Sequence, residues 1–290
     1  MIRIAGWAAP RPLRFSVRTV EVFARKELRD ALRNKWFALY AAAFTLLALA
    51  LSFVSMGGTG VEGFAGFGRT AASMVNLVIL IVPLMALTAG ASSLAAEREQ
   101  GVLSYLLAQP VTRLEALLGK YVGLAVALIG AIALGFGLNA AFLAIRGGTG
   151  QIGGFLTLIG AAFALALAML SVGFLISACV RRQSVAMGAA LALWLVFVFL
   201  GDLGLMGSAL VMGLQAPDLF HLSLLNPLQV FKLLAMGGLH ASLDMLGPAG
   251  VYATQTYGGA LGWLLAGVLA VWIAAPLALA QLIFARRDVS

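Results

Sequence analysis

Residues 155–179 read FLTLIGAAFALALAMLSVGFLISAC, twenty-five positions without one Asp, Glu, Lys or Arg. As a helix this run is about 37 Å long, enough to cross a hydrocarbon layer of about 30 Å. A backbone in lipid must satisfy its own hydrogen bonds, and a run this long is not the roughly 10-residue alternating strand of a barrel. Five further runs read the same way, at 36–56, 71–95, 117–145, 185–203 and 260–284. With 62% hydrophobic and 10% charged residues and a mean hydropathy of +1.02, the composition excludes a soluble core. The fold class is all-α: a polytopic integral membrane protein with six transmembrane helices.

Charge sets the orientation. The first 35 residues carry nine Lys and Arg, which hold that end in the cytoplasm. Six spans then put sixteen of the 19 basic residues inside, leaving only Arg69, Arg146 and Lys232 outside. A seventh span through 204–214 would send Arg286 and Arg287 outside, so the topology is N-in/C-in. The net charge of +8 is this positive-inside bias added up, drawn to anionic lipid headgroups, and gives no reason to invoke nucleic acid. No cleavable signal peptide is expected, because the first apolar run follows a long basic segment and lacks a small-residue cleavage site. The single cysteine, Cys179, excludes an intrachain disulfide and reads as a small core residue.

Two polar regions stand out. In 17–35, Val17, Val20, Ala24, Leu28, Ala31 and Leu32 recur at helical spacing opposite Arg18, Arg25, Lys26, Arg29 and Arg33. This predicts an amphipathic interfacial helix held by membrane contact, with Glu21, Arg25, Lys26, Glu27 and Arg29 as its contact residues. Between the second and third spans lies Glu97-Arg98-Glu99-Gln100-Gly101, then an amphipathic stretch at 102–108, then Gln109-Pro110-Val111-Thr112-Arg113. Gly101 disfavours a helix interior, Leu103, Leu106 and Leu107 give one apolar face, and Pro110 stops the helix. Thr112 and Glu115 fit a capping box that starts the next helix. The loop 96–116 therefore predicts a short cytoplasmic coupling helix, and its scarce charges predict contact with a soluble partner. The chain divides into a cytoplasmic segment 1–35 and a transmembrane domain 36–290, with an extracytoplasmic segment at 204–259.

The Glu-x-Glu-x-Gly after the second span, the leucines and the Pro-x-x-Arg resemble the cytosolic loop of ABC-2-type permeases, and the N-terminal helix and six spans agree in topology. The resemblance implies that Glu97, Arg98, Glu99, Gly101, Pro110 and Arg113 couple to a nucleotide-binding subunit. It also implies a bacterial inner-membrane location and export as the direction. Within the family, Leu225-Asn226-Pro227-Leu228-Gln229-Val230-Phe231-Lys232-Leu233-Leu234 resembles the outer loop of permeases serving nitrous oxide reductase maturation. That likeness implies two cytoplasmic ABC ATPase subunits, a periplasmic partner, and a sulfur species as cargo for copper-sulfur centres. Asn226, Pro227, Gln229, Phe231 and Lys232 would then dock the periplasmic partner.

The chain has no phosphate loop, since Gly119-Lys120 lacks the upstream glycine and the hydroxyl residue. ATP and magnesium are expected on a partner ATPase, no cofactor on this chain, and six spans imply a homodimer. Gly119-x-x-x-Gly123 and Gly258-x-x-x-Gly262 permit close approach but, among 34 glycines, point to no interface. An ion-driven transporter would need ionisable groups inside its spans, which are nearly absent. An intramembrane hydrolase would need a base near Ser92 or Ser93, and His221 and His240 both lie outside the membrane. A scaffold that only holds an ATPase, and a permease exporting a lipid, drug or polysaccharide, are the other readings. The outer segment is expected to form short interfacial helices. Asp218, His221, Met236, His240, Asp244 and Met245 are metal-binding residue types at spacings that predict no metal site.

Overall fold

The computed structural model describes residues 15–57, 64–102, 111–145, 152–211, 215–238 and 248–286. Its elements are α1 (Val17–Arg33), α2 (Lys35–Gly57), α3 (Phe64–Glu99), α4 (Arg113–Ile145), α5 (Ile152–Cys179), α6 (Gln183–Val211), α7 (Ala216–Leu224), α8 (Pro227–Gly238), α9 (Pro248–Tyr257) and, after a 3-10 turn, α10 (Leu261–Arg286). Among the described residues there is no strand, and six helices are long and apolar enough to cross a membrane: α2, α3, α4, α5, α6 and α10. The chain is an all-α polytopic membrane protein. The helices outrun the predicted spans mainly at α3, which continues through Glu97-Arg98-Glu99, and at α6, which reaches Val211.

The bundle is built around α3 and α5. Some 72% of the α3 span is buried but only 17% of the α6 span, so α6, like α2 and α10, flanks the core. Lipid supplies no hydrophobic drive between helices, so close packing depends on small residues. A Cβ on Gly173 would stand 2.7 Å from the Leu87 carbonyl oxygen and 3.0 Å from the Gly90 Cα. One on Gly90 would meet the Leu170 carbonyl oxygen at 2.7 Å. The two backbones touch there, and one turn further on the Ser177 hydroxyl accepts the N–H groups of Leu94 (2.9 Å) and Ala95 (2.8 Å).

On the other flank α2 packs on α4. Phe44 covers Gly135, and the Asn139 side-chain amide donates to the Ala48 carbonyl (3.0 Å) and the Ser52 hydroxyl (2.6 Å). Interhelical bonds of this kind are modest in membranes. Asn139→Leu should therefore cost about 1 kcal/mol, read as a small drop in melting temperature of the purified chain in detergent.

Two expectations are corrected. Gly119 and Gly123 do mark an interface: a Cβ on Gly119 would strike Phe23, and one on Gly123 would lie 2.5 Å from the Ala24 carbonyl oxygen. These glycines seat α1 on α4, so protein packing holds α1, where membrane contact alone was expected to do so. Gly258, at φ +46°, and Gly262 have open space beside them.

The outer segment is the second correction. α7 and α8 meet at a bend of 111°, and α8 inserts between α5 and α10. Pro227 starts α8, and Asn226 caps it by accepting the Leu228 N–H at 3.0 Å. The helix is apolar on nearly every side, so lying flat at an interface would leave half of it wet. Pro227, Leu228, Gln229, Val230, Phe231, Leu233, Ala235 and Met236 are buried. Cys179 is exposed at the end of α5 and is not a core residue.

Candidate functional site

The basic segments converge at one end of the bundle, where the last turn of α3 reaches four other helices in three consecutive residues. The Glu97 carboxylate takes Lys120 of α4 at 2.8 Å and Lys26 of α1 at 3.2 Å on the same Oε1 atom. Arg98 donates to the Val180 carbonyl at 2.6 Å and reaches the Ser177 carbonyl at 3.4 Å, capping the C-terminal end of α5. Glu99 accepts the Gln183 N–H at 2.7 Å, placing a carboxylate at the positive N-terminus of α6. Gly101 then ends the helix at φ +71°, a left-handed position that glycine takes without a Cβ penalty, its N–H bonded to the Arg98 carbonyl.

The strand of chain returning from the loop is tied down as tightly. The Thr112 hydroxyl accepts the Glu115 N–H at 3.2 Å, and the Glu115 carboxylate accepts the Thr112 N–H at 2.8 Å, the reciprocal pair of a capping box. The other Glu115 oxygen takes the Ser16 N–H, just before α1, at 2.5 Å. Arg113 donates to the carbonyls of Phe284 (2.8 Å) and Ala285 (2.9 Å) at the end of α10, with its guanidinium over the Phe284 ring. Arg98 and Arg113 meet helix C-termini and Glu99 and Glu115 meet N-termini, so these four charges also relieve unsatisfied backbone groups.

The core of the site is an ion cluster at the junction of α1, α3 and α4. Lys120 is 1% exposed and sits between Glu97 and Glu27, the latter at 2.9 Å. Lys26 lies beside it, with Asp30 at 3.8 Å. Burial works against the charge of Lys26, but the carboxylates of Glu97, Glu27 and Asp30 together outweigh it and hold this ammonium's pKa above its ordinary value. Among the described residues the second Glu97 oxygen, which is buried, has no hydrogen-bond partner. Glu21 and Arg25 pair at 2.6 Å on the solvent face of α1, and Arg29 is exposed there as well.

Beside the cluster opens a cavity of about 750 Å³, lined by Lys26, Glu97 and Lys120 at its polar end and by Tyr40, Met85 and Thr88 among others.

The predicted site residues thus fall differently from expectation. Glu97, Arg98, Glu99 and Arg113 come together, and each of their side chains bonds a neighbouring helix of this chain. Pro110 and all but the first residue of the helix predicted at 102–108 lie outside the described residues. Of the outer residues, Pro227, Gln229 and Phe231 are inside the protein, so only Asn226 and Lys232 keep accessible surface. Asn226 donates to the Phe197 carbonyl of α6 at 2.6 Å. His221 packs on Phe220, and His240, Asp244 and Met245 lie outside the described residues. Lys120 is the member that sequence reasoning missed, and Glu27, expected only as a contact residue of the interfacial helix, is its partner. A lone lysine two turns into an apolar span, with acids available on two neighbouring helices, was the signal for it.

The profile of the ABC-2 family transporter proteins matches residues 22–289 of this chain. The chain is 33% identical over 270 residues to the probable ABC transporter permease protein NosY of Stutzerimonas stutzeri, covering 91% of this chain and 97% of that protein. It is also 33% identical over 278 residues to the probable ABC transporter permease protein NosY of Pseudomonas aeruginosa, covering 93% and 99%.

Proposed function

The chain belongs to the ABC-2 transporter family, as a multi-pass permease similar to NosY, and from that premise we propose the rest of its role. It is the membrane subunit of an ATP-driven exporter in the bacterial inner membrane, with both termini in the cytoplasm. Two copies pair with two NosF-like cytoplasmic ATPase subunits, which carry the ATP and magnesium, and with a NosD-like periplasmic subunit. The cargo is a sulfur species used to assemble the copper-sulfur centres of nitrous oxide reductase.

One observation carries the coupling part of this reading. The segment 103–110 is flanked by residues that grip the ends of α1, α4, α5, α6 and α10 within a few positions of each other. A displacement applied to that segment is shared by the whole bundle, since charge-assisted bonds at helix ends resist being pulled apart one at a time. The cavity beside Glu97 and Thr88, at the same end, is a suitable place for cargo to enter.

A photo-crosslinking residue at Ser104 tests the docking. It should capture the ATPase subunit in membranes, whereas capture of lipid alone would overturn the assignment. The cargo reading is tested separately: deletion of the gene should leave nitrous oxide reductase without its copper-sulfur centre, and a fully metallated, active reductase would exclude it.

A further inference from the structure

The cluster of two lysines and two glutamates at the junction of α1, α3 and α4 is built so that one of its members can leave. We propose that Glu97 is the moving part of a two-position ion switch, held by Lys120 in the state seen here and handed over to Lys26 when the end of α3 is displaced. This inference deepens the coupling role above and rests on it.

The geometry favours Glu97 as the mover. It lies in the last turn of α3, four residues before Gly101 ends the helical run, so a displacement of 103–110 reaches it before Lys120, Lys26 or Glu27. Its Oε1 atom is already shared by Lys120 at 2.8 Å and Lys26 at 3.2 Å, and its Oε2 atom is a buried acceptor with no hydrogen-bond partner among the described residues. Lys120 cannot follow, because its side chain is 2% exposed where α4 meets α1 and α3. It does not need to, since Glu27 of α1 still holds it at 2.9 Å after Glu97 departs.

Lys26 can follow. Its side chain is 48% exposed on a four-carbon stem, and its weak contact with Asp30 at 3.8 Å leaves room to turn toward Glu97. After the exchange each lysine has one glutamate, so no buried charge is stranded in either position. A stranded buried charge is what makes breaking an ordinary buried ion pair prohibitive. Glu27 and Lys120 keep α1 on α4 throughout, along the seat formed by Gly119 and Gly123.

The test uses the permease in complex with its ATPase in lipid nanodiscs. Lys26→Met removes the second holding position while leaving the Glu27–Lys120–Glu97 contacts of the present state, and should slow ATP turnover about tenfold. Lys26→Arg should restore most of it, and Arg18→Met, at an exposed position of the same helix, should leave it unchanged. Wild-type turnover in Lys26→Met overturns the switch.

A second measurement reads the movement itself. In a Cys179→Ser background, spin labels at Gln100 and Val122 report the end of α3 against α4, and labels at Gln100 and Arg29 report it against α1. Trapping the ATP-bound state should lengthen the first distance and preserve the second. Both changing together, or neither changing, overturns the proposal. If the wild-type complex fails to form or to hydrolyse ATP, the permease reading of the preceding subsection fails first and separately.

Discussion

Gly173→Val is expected to separate α3 from α5 and to destabilise the chain by about 3 kcal/mol, the upper range for overpacking a tight interior. The reason is what surrounds the missing Cβ. Its nearest neighbours would be the Leu87 carbonyl oxygen at 2.7 Å, the Ala91 nitrogen at 3.0 Å and the Gly90 Cα at 3.0 Å, all of them backbone. No rotamer change can relieve such a contact, and the two γ-methyl groups of valine add to it. Neither does burial of the new methyl groups compensate, because lipid is as apolar as the helix interface. Separation would also draw Ser177 away from the Leu94 and Ala95 amides, and Arg98 from the end of α5. Gly173→Ala should show a smaller loss of the same kind, and Gly90→Val a comparable one, since its Cβ would stand 2.7 Å from the Leu170 carbonyl oxygen. Gly160→Ala, on α5 but facing open space, should be neutral. Melting temperatures of the purified variants in one detergent check the series, and a Gly173→Val protein as stable as Gly160→Ala would refute the contact.

That contact illustrates what the sequence could not reveal. The six spans were legible because hydropathy over about 20 residues is a property of one segment alone. The capping box at Thr112 and Glu115 was legible for the same reason, being local, and so was the role of Gly101 in ending a helix. The pairing of Gly90 with Gly173 is a property of two segments, and among 34 glycines neither position is distinguished. The seat of α1 on Gly119 and Gly123 was hidden in the same way, although its spacing was visible.

The charges at 97–99 have a role within the chain that only the fold reveals. In a chain with few charges, a dense cluster suggested a surface held out to water and a partner. Yet helix ends in a membrane bundle each present unsatisfied carbonyls or amides, and the nearest charged side chains are recruited to them. Glu97, Arg98 and Glu99 serve α4, α5 and α6 in turn, each within three residues of a helix end or against a buried lysine. The outer helix α8 was misread although its sequence held the answer. Pro227 to Met236 is apolar on all faces except at Gln229 and Lys232, which is the pattern of a buried helix and not of one lying at an interface.

Lys120→Met is expected to be the most damaging change at the basic end, costing about 3–5 kcal/mol, the range found when one partner is removed from a buried ion pair. Methionine matches the stem of lysine, so packing where α4 meets α1 and α3 is kept and only the ammonium is lost. Two carboxylates would then face the vacated position, Glu27 and Glu97, each with a side chain only 13% exposed. Glu97 retains Lys26, but Glu27 loses the ammonium it is paired with and keeps only the field of Lys26. Replacing the whole cluster is a different matter, because neutral groups of similar shape avoid the desolvation cost. Lys120→Met combined with Glu27→Gln and Glu97→Gln should therefore recover much of the lost stability while losing coupled ATP turnover. The damage should also be local. The repulsion acts across the α1–α4 seat, so Lys120→Met should free α1 before the bundle melts, and trypsin should cut at Arg25, Arg29 and Arg33 faster than in the wild type. A triple variant no more stable than Lys120→Met would show that the lysine acts through packing, and unchanged cleavage within α1 would show that the ion cluster does not hold that helix in place.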